Sequence, residues 1–237
     1  MKSYVLHLAF VWYPYICLTV FLLGSLIRFD REPYSWRASS SQILRKRQLR
    51  WGSNLFHIGI LFLLLGHAVG LLTPTELYTM LITVQQKQLT AVTAGGIAGA
   101  MCFFGLTMLL HRRLFDERIR RTSSAMDIAI LAILWVQLTL GLITLPISLH
   151  HSDGSVMLVL SHWAQGIVFL HPVDAAALDG VPWPYLVHLV LGLTVFLVFP
   201  FSRLVHIWSA PVWYLGRRGY QVVRTRRPLT SRRLPAE

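Results

Sequence analysis

The sequence predicts an all-α fold, an integral membrane bundle of five transmembrane helices with the N-terminus outside and the C-terminus in the cytoplasm. Three observations carry this reading. Of 237 residues, 54% are hydrophobic and 14% charged, a balance that points to hydrocarbon as the main solvent. Five stretches reach the ~20 apolar residues that cross a core of about 30 Å. The 22 Lys and Arg residues crowd into alternate connections.

The spans fall at residues 4–27, 55–72, 89–110, 128–147 and 185–205. Unsatisfied backbone groups are prohibitive in lipid, so each span is expected as a helix. The first follows Lys2 as a secretion signal would, but it is too long for a signal core. It also holds Trp12, Tyr13, Pro14 and Tyr15 and lacks a small-residue cleavage site, which makes it a true span. The second carries His57 and His67, and the fifth His188 and His206. On the third, Gly95 and Gly99 form a small pair suited to close helix packing. Cys17 and Cys102 lie inside spans without paired spacing, which argues against a disulfide or a cysteine metal site. Residues 1–216 read as one membrane domain and 217–237 as a basic cytoplasmic tail.

Orientation follows from the cations. Arg28, Arg31, Arg37, Arg45, Lys46, Arg47 and Arg50 follow the first span, and Arg112, Arg113, Arg118, Arg120 and Arg121 follow the third. The connection after the second span has only Lys87, and the longer one after the fourth has none. The positive-inside rule places the basic connections and the C-terminus in the cytoplasm. A net charge of +12 could suggest nucleic acid, but the cations flank membrane spans, so topology and anionic membrane lipids account for them and no nucleic acid is expected. The basic face also suits an acidic protein partner.

Ionisable side chains inside a bilayer are costly and mark function. The second and fifth spans run in opposite directions, which fixes which histidines can meet. At 1.5 Å per residue, His57 lies ~9 Å and His67 ~24 Å above Trp51. His188 lies ~8 Å below the opposite edge at Trp183, with His206 ~27 Å further on along the same helix. His67 and His188 are therefore expected at one depth near the outer face, and His57 with His206 near the inner. Pro200 should bend the fifth helix between its two histidines.

Two imidazoles on opposite faces of a porphyrin saturate its iron, which favours electron transfer over chemistry at the metal. With no C-x-x-C-H in the chain, any haem is held without covalent attachment, as in b-type cytochromes. Gly59, Gly66, Gly70 and Gly192 stand near the histidines and would remove bulk where a flat macrocycle approaches. A lone membrane histidine is more often a packing residue, and four at matched depths reverse that expectation. A transport or scaffolding protein whose histidines bind a metal ion or simply pack stays open as the alternative. His7, His111, His150, His151, His162 and His171 read as interfacial or solvated, with a metal site in the outer loop as a further alternative. Arg203, one turn before His206, is the first choice to meet a haem propionate, with Arg37, Arg112 and Arg113 on the same side. Lys87 is the one cation of the outer loops, and its plainest reading is a snorkelling interfacial lysine.

The stretches SNLFHIGILFLLLGHAVGLLTP and HLVLGLTVFLVFPFSRLVHIWSAPVWYL, with YSWRASSSQ and RRLF between spans, resemble the gamma subunit of respiratory membrane-bound nitrate reductase. The similarity extends from YPYI at Tyr13 to YQVVR ending at Arg224. The resemblance implies two haem b groups, the outer held by His67 and His188 and the inner by His57 and His206. It implies quinol oxidation near the outer haem, with Gly66 and Lys87 at positions linked to that site, and electron flow inward. The implied partners are an iron–sulfur beta subunit and, through it, a molybdenum-containing alpha subunit that reduces nitrate. Nothing in the chain itself could reduce a terminal substrate. The implied location is the cell inner membrane. Related dihaem subunits serve sulfur or heterodisulfide reductases, and the histidine pattern alone does not separate these.

Overall fold

The computed structural model describes residues 2–36, 46–150 and 153–209. The fold is helical, and five of its helices are long and apolar enough to cross a membrane. These are α1, Ser3–Arg31; α2, Lys46–Leu72; α3, Val84–Phe115; α4, Ala125–His150; and α6, Trp183–Phe201. A sixth helix, α5, Ser155–Val168, is too short to span. The compact unit closes at His206. The expected division at residue 216 and the basic tail at 217–237 lie outside the described residues.

Helix starts follow local chemistry. Thr83 caps α3 by accepting from the Gln86 N–H at 3.2 Å while the Gln86 side chain accepts from the Thr83 N–H at 2.9 Å. Ser124 and Asp127 make the same reciprocal pair at the start of α4, at 3.1 and 3.3 Å. Each satisfies two donors that a helix start leaves unpaired. In α1, a widened π turn at Leu8–Trp12 interrupts the α-helix. The Phe10 carbonyl in that turn accepts from the Trp163 indole at 2.8 Å, which ties α5 to α1.

Packing follows chain order from α2 to α3, α4 and α6, and α6 returns against α1. The α2–α3 crossing is the tightest. A Cβ on Gly59 would stand 2.7 Å from the Ala98 oxygen, and one on Gly105 would stand 2.3 Å from the Phe56 nitrogen. Hydrogen bonds lock the other neighbours: Gln88 donates to the Ser148 carbonyl at 2.6 Å, Tyr185 to the Thr144 carbonyl at 3.0 Å, and Tyr13 pairs with Thr194 at 2.8 Å. In an apolar solvent such bonds and close small-residue contacts replace the hydrophobic drive.

The fifth span departs from expectation. It was expected as one helix to residue 205, but regular α-helix stops at Val198. Pro200 has no N–H to donate and its ring crowds the preceding turn. The chain passes through a 3₁₀ turn at Phe199–Phe201 and an extended Ser202 into a second 3₁₀ turn, Arg203–Ile207, which carries His206. Arg28 of α1 takes up carbonyls at this break, donating to Pro200 at 2.6 Å and to Ser202 at 2.9 Å. His206 is therefore not five turns along one helix from His188.

Candidate cofactor site

α2 meets α6 and the turn after it through two pairs of histidine rings. The ring centres of His67 and His188 are 6.3 Å apart, with planes inclined at 35°. Those of His57 and His206 are 6.5 Å apart, inclined at 67°. One pair lies toward the end of the bundle rich in arginine, the basic end, and the other toward the opposite, far end.

All four rings are oriented by the same device. Nδ1 donates to a main-chain carbonyl in each: His57 to Ser53 at 2.7 Å, His67 to Leu63 at 2.7 Å, His206 to Arg203 at 2.5 Å and His188 to Gln137 at 3.0 Å. A carbonyl only accepts, so Nδ1 carries the proton and Nε2 presents its lone pair. That is the tautomer of a metal-bound histidine whose second nitrogen is held by an outer partner.

The separations suit one metal between each pair. Two imidazoles binding from opposite sides with nitrogens about 2 Å from the metal hold their ring centres a little over ~6 Å apart. Among the described residues no group of three His, Cys, Asp or Glu converges on one point. A bare zinc ion takes about four ligands, so two are too few. A porphyrin supplies its own four nitrogens and needs only axial ligands from protein. The residues present fit haem.

The glycines divide. Gly66 and Gly70 have no atom within 4 Å of where a Cβ would stand, so the helix surface beside His67 is bare backbone. Gly59, expected to make room for a macrocycle, instead faces Ala98 and Cys102 of α3 and serves helix packing. Gly192 adjoins the Gln137 amide, 3.0 Å from a Cβ position. Of the expected pair on α3, Gly99 meets Leu142 of α4, whereas Gly95 meets nothing within 4 Å.

At the basic end, Arg203 lies 3.6 Å from Asp127, and Arg113 lies 3.8 Å from the other oxygen of the same carboxylate. Asp127 thus joins the start of α4 to the end of α3 and to the turn carrying His206. Arg203, expected to meet a haem propionate, is thus paired with Asp127, an acid set beside a cationic connection that the sequence pattern did not single out. Arg112 is buried, and Arg37 lies outside the described residues.

At the far end, Lys87 is buried at 9% exposure, and its ammonium stands 3.6 Å over the Tyr78 ring. Nζ has no hydrogen-bond partner. The side chain turns onto an aromatic face rather than outwards, a contact that stabilises a desolvated cation. The connection after α4 holds the unanticipated α5, which buries Trp163 and Ile167 and whose Gln165 donates to the Leu71 carbonyl at 2.9 Å. His162 and His171 are exposed, and His151 lies outside the described residues. Cys17 and Cys102 are free and buried.

The sequence also matches known proteins along nearly its whole length. A family model described as "Nitrate reductase gamma subunit" matches residues 6–226. The respiratory nitrate reductase 2 gamma chain of Escherichia coli strain K12 is 52% identical over 215 residues, covering 91% of this chain and 95% of that one. The respiratory nitrate reductase 1 gamma chain of the same strain is 50% identical over 214 residues, covering 90% and 95%. The nitrate reductase gamma chain of Bacillus subtilis strain 168 is 38% identical over 214 residues, with the same coverage.

Proposed function

Because the chain belongs to the nitrate reductase gamma subunit family, we propose that it is the dihaem cytochrome b of such a complex, oxidising quinol at the far end and delivering electrons at the basic end. It is a multi-pass inner-membrane protein. The basic end faces the cytoplasm by the positive-inside rule, and the far end faces outwards. The recipient is an iron–sulfur beta subunit, which feeds a molybdenum-containing alpha subunit that reduces nitrate. An arginine-rich face suits docking of an acidic partner.

One observation carries the reading: four imidazoles in two facing pairs, each with Nδ1 committed to a carbonyl. His67 and His188 would hold one haem b, and His57 and His206 the other. Bound there, the two groups would supply one-electron redox couples, one toward each end of the bundle. Lys87 offers an ammonium to a quinone oxygen, and Gly66 leaves backbone bare for a flat ring to approach. The Tyr78 ring holds the Lys87 head group, with Nζ 3.6 Å from the ring centre. Quinol protons leave on the outer side while negative charge moves inwards, against about 2.3 kcal/mol per 100 mV of membrane potential. The reaction thereby contributes to proton motive force.

The test is haem stoichiometry and reduction in the purified complex. Two b haems per chain, reduced by added quinol and reoxidised by nitrate, are expected. A colourless chain, or haem that quinol cannot reduce, would refute the proposal.

A further inference from the structure

Resting on the dihaem reading, we propose that α4 is a positioning element for His188: Gln137 and Gly141 fix its imidazole, and the Gln137 amide tunes the redox behaviour of the far-end site alone. His57, His67 and His206 each donate Nδ1–H to a carbonyl three or four residues earlier in their own segment. His188 instead crosses to α4 and donates to the Gln137 carbonyl at 3.0 Å. Within a helix that oxygen already accepts from the N–H four residues on, which is Gly141. Its second lone pair is reachable only if no side chain stands over it.

Gly141 provides the opening. A Cβ there would lie 3.0 Å from His188 Cε1 and 3.5 Å from Nδ1, so even alanine would push the ring off its acceptor by a few tenths of an ångström. The Gln137 side chain turns to the same ring, its amide nitrogen 3.4 Å from His188 Nε2. Gly192 of α6 makes that turn possible, since a Cβ there would stand 3.0 Å from the amide nitrogen. The Gln137 Oε1 is buried without a hydrogen-bond partner. An amide in the middle of an apolar span carries a desolvation cost and calls for a role.

Two glycines on two helices thus hold one glutamine against both nitrogens of one ligand. The carbonyl fixes ring rotation and ligand basicity, as outer partners of metal-binding histidines do. The amide sets a dipole beside the metal-facing nitrogen, where low dielectric magnifies its effect on a change of charge.

Redox titration of the haem bands in the purified complex tests this. Gln137→Leu keeps the main-chain carbonyl and both glycines, so both haems should bind and one of two titration waves should move while the other stays. Gly141→Ala should displace the same wave, and Gly141→Leu should abolish that haem and spare its companion. Wild-type waves in Gln137→Leu, or displacement of both waves equally, would overturn the proposal. Absence of haem from the wild type would instead sink the dihaem reading.

Discussion

Arg28 of α1 donates to the carbonyl of Pro200 at 2.6 Å, so a proline-broken helix end is held by a cation from a different span. The same guanidinium reaches the Ser202 carbonyl at 2.9 Å and the Ser35 carbonyl at 2.9 Å. Without it, the turn bearing His206 loses one of its anchors and keeps the Arg203–Asp127 ion pair. Arg28→Leu should lower stability by on the order of 2 kcal/mol, the scale of charged hydrogen bonds. Thermal unfolding in detergent measures this, and optical spectra should show the basic-end haem depleted before the other.

Asp127 bridges two arginines from two segments, and removing its charge leaves both cations facing each other. Asp127→Asn should destabilise the chain by about 3 kcal/mol, as breaking a partly buried pair does. Arg203 supplies both the ion pair and the carbonyl that orients His206, so the basic-end spectrum should broaden. Denaturation midpoints and low-temperature spectra of this variant check both outcomes.

Gly59 sits where α2 meets α3, with backbone atoms of Ala98 and Cys102 on the far side of the contact. Gly59→Ala forces the helices apart at a cost of roughly 1–3 kcal/mol. A lowered melting temperature with both haems still bound is expected. An unchanged melting temperature would mean that the two helices can separate freely.

Lys87 should matter to quinol and not to haem. Lys87→Ala is expected to cut quinol-dependent reduction at least tenfold while haem content stays at the wild-type level. Tyr78→Phe keeps the aromatic face beneath the ammonium and should retain most activity, whereas Tyr78→Leu should not. Steady-state assays with a soluble quinol analogue separate the three.

The five spans were legible because length and hydropathy are properties of a line, and the histidine rings meet as depth counting paired them. Counted along one helix, His188 to His206 would span ~27 Å against ~15 Å from His57 to His67, and the break at Pro200 accounts for the difference. From His188 to the last α-helical residue, Val198, the rise is ~15 Å, equal to that from His57 to His67. The broken chain then turns rather than continuing, which periodicity could not foresee. α5 lies in a stretch that reads as loop, because its 14 residues are shorter than a span. Gln137, Gly141 and Asp127 act through neighbours distant in sequence, and only a polar residue in an apolar span hinted at the first. Gly59 looked like a haem neighbour by proximity to His57, yet helix phase turns it to α3.

The pairing of ligands across α2 and α6 is tested most directly by haem-resolved spectroscopy of single histidine variants in the purified complex. His67→Ala and His188→Ala should lose the same haem species and retain the other, and His57→Ala and His206→Ala should do the converse. Loss of different species by His67→Ala and His188→Ala, or survival of both haems in either, would contradict the account.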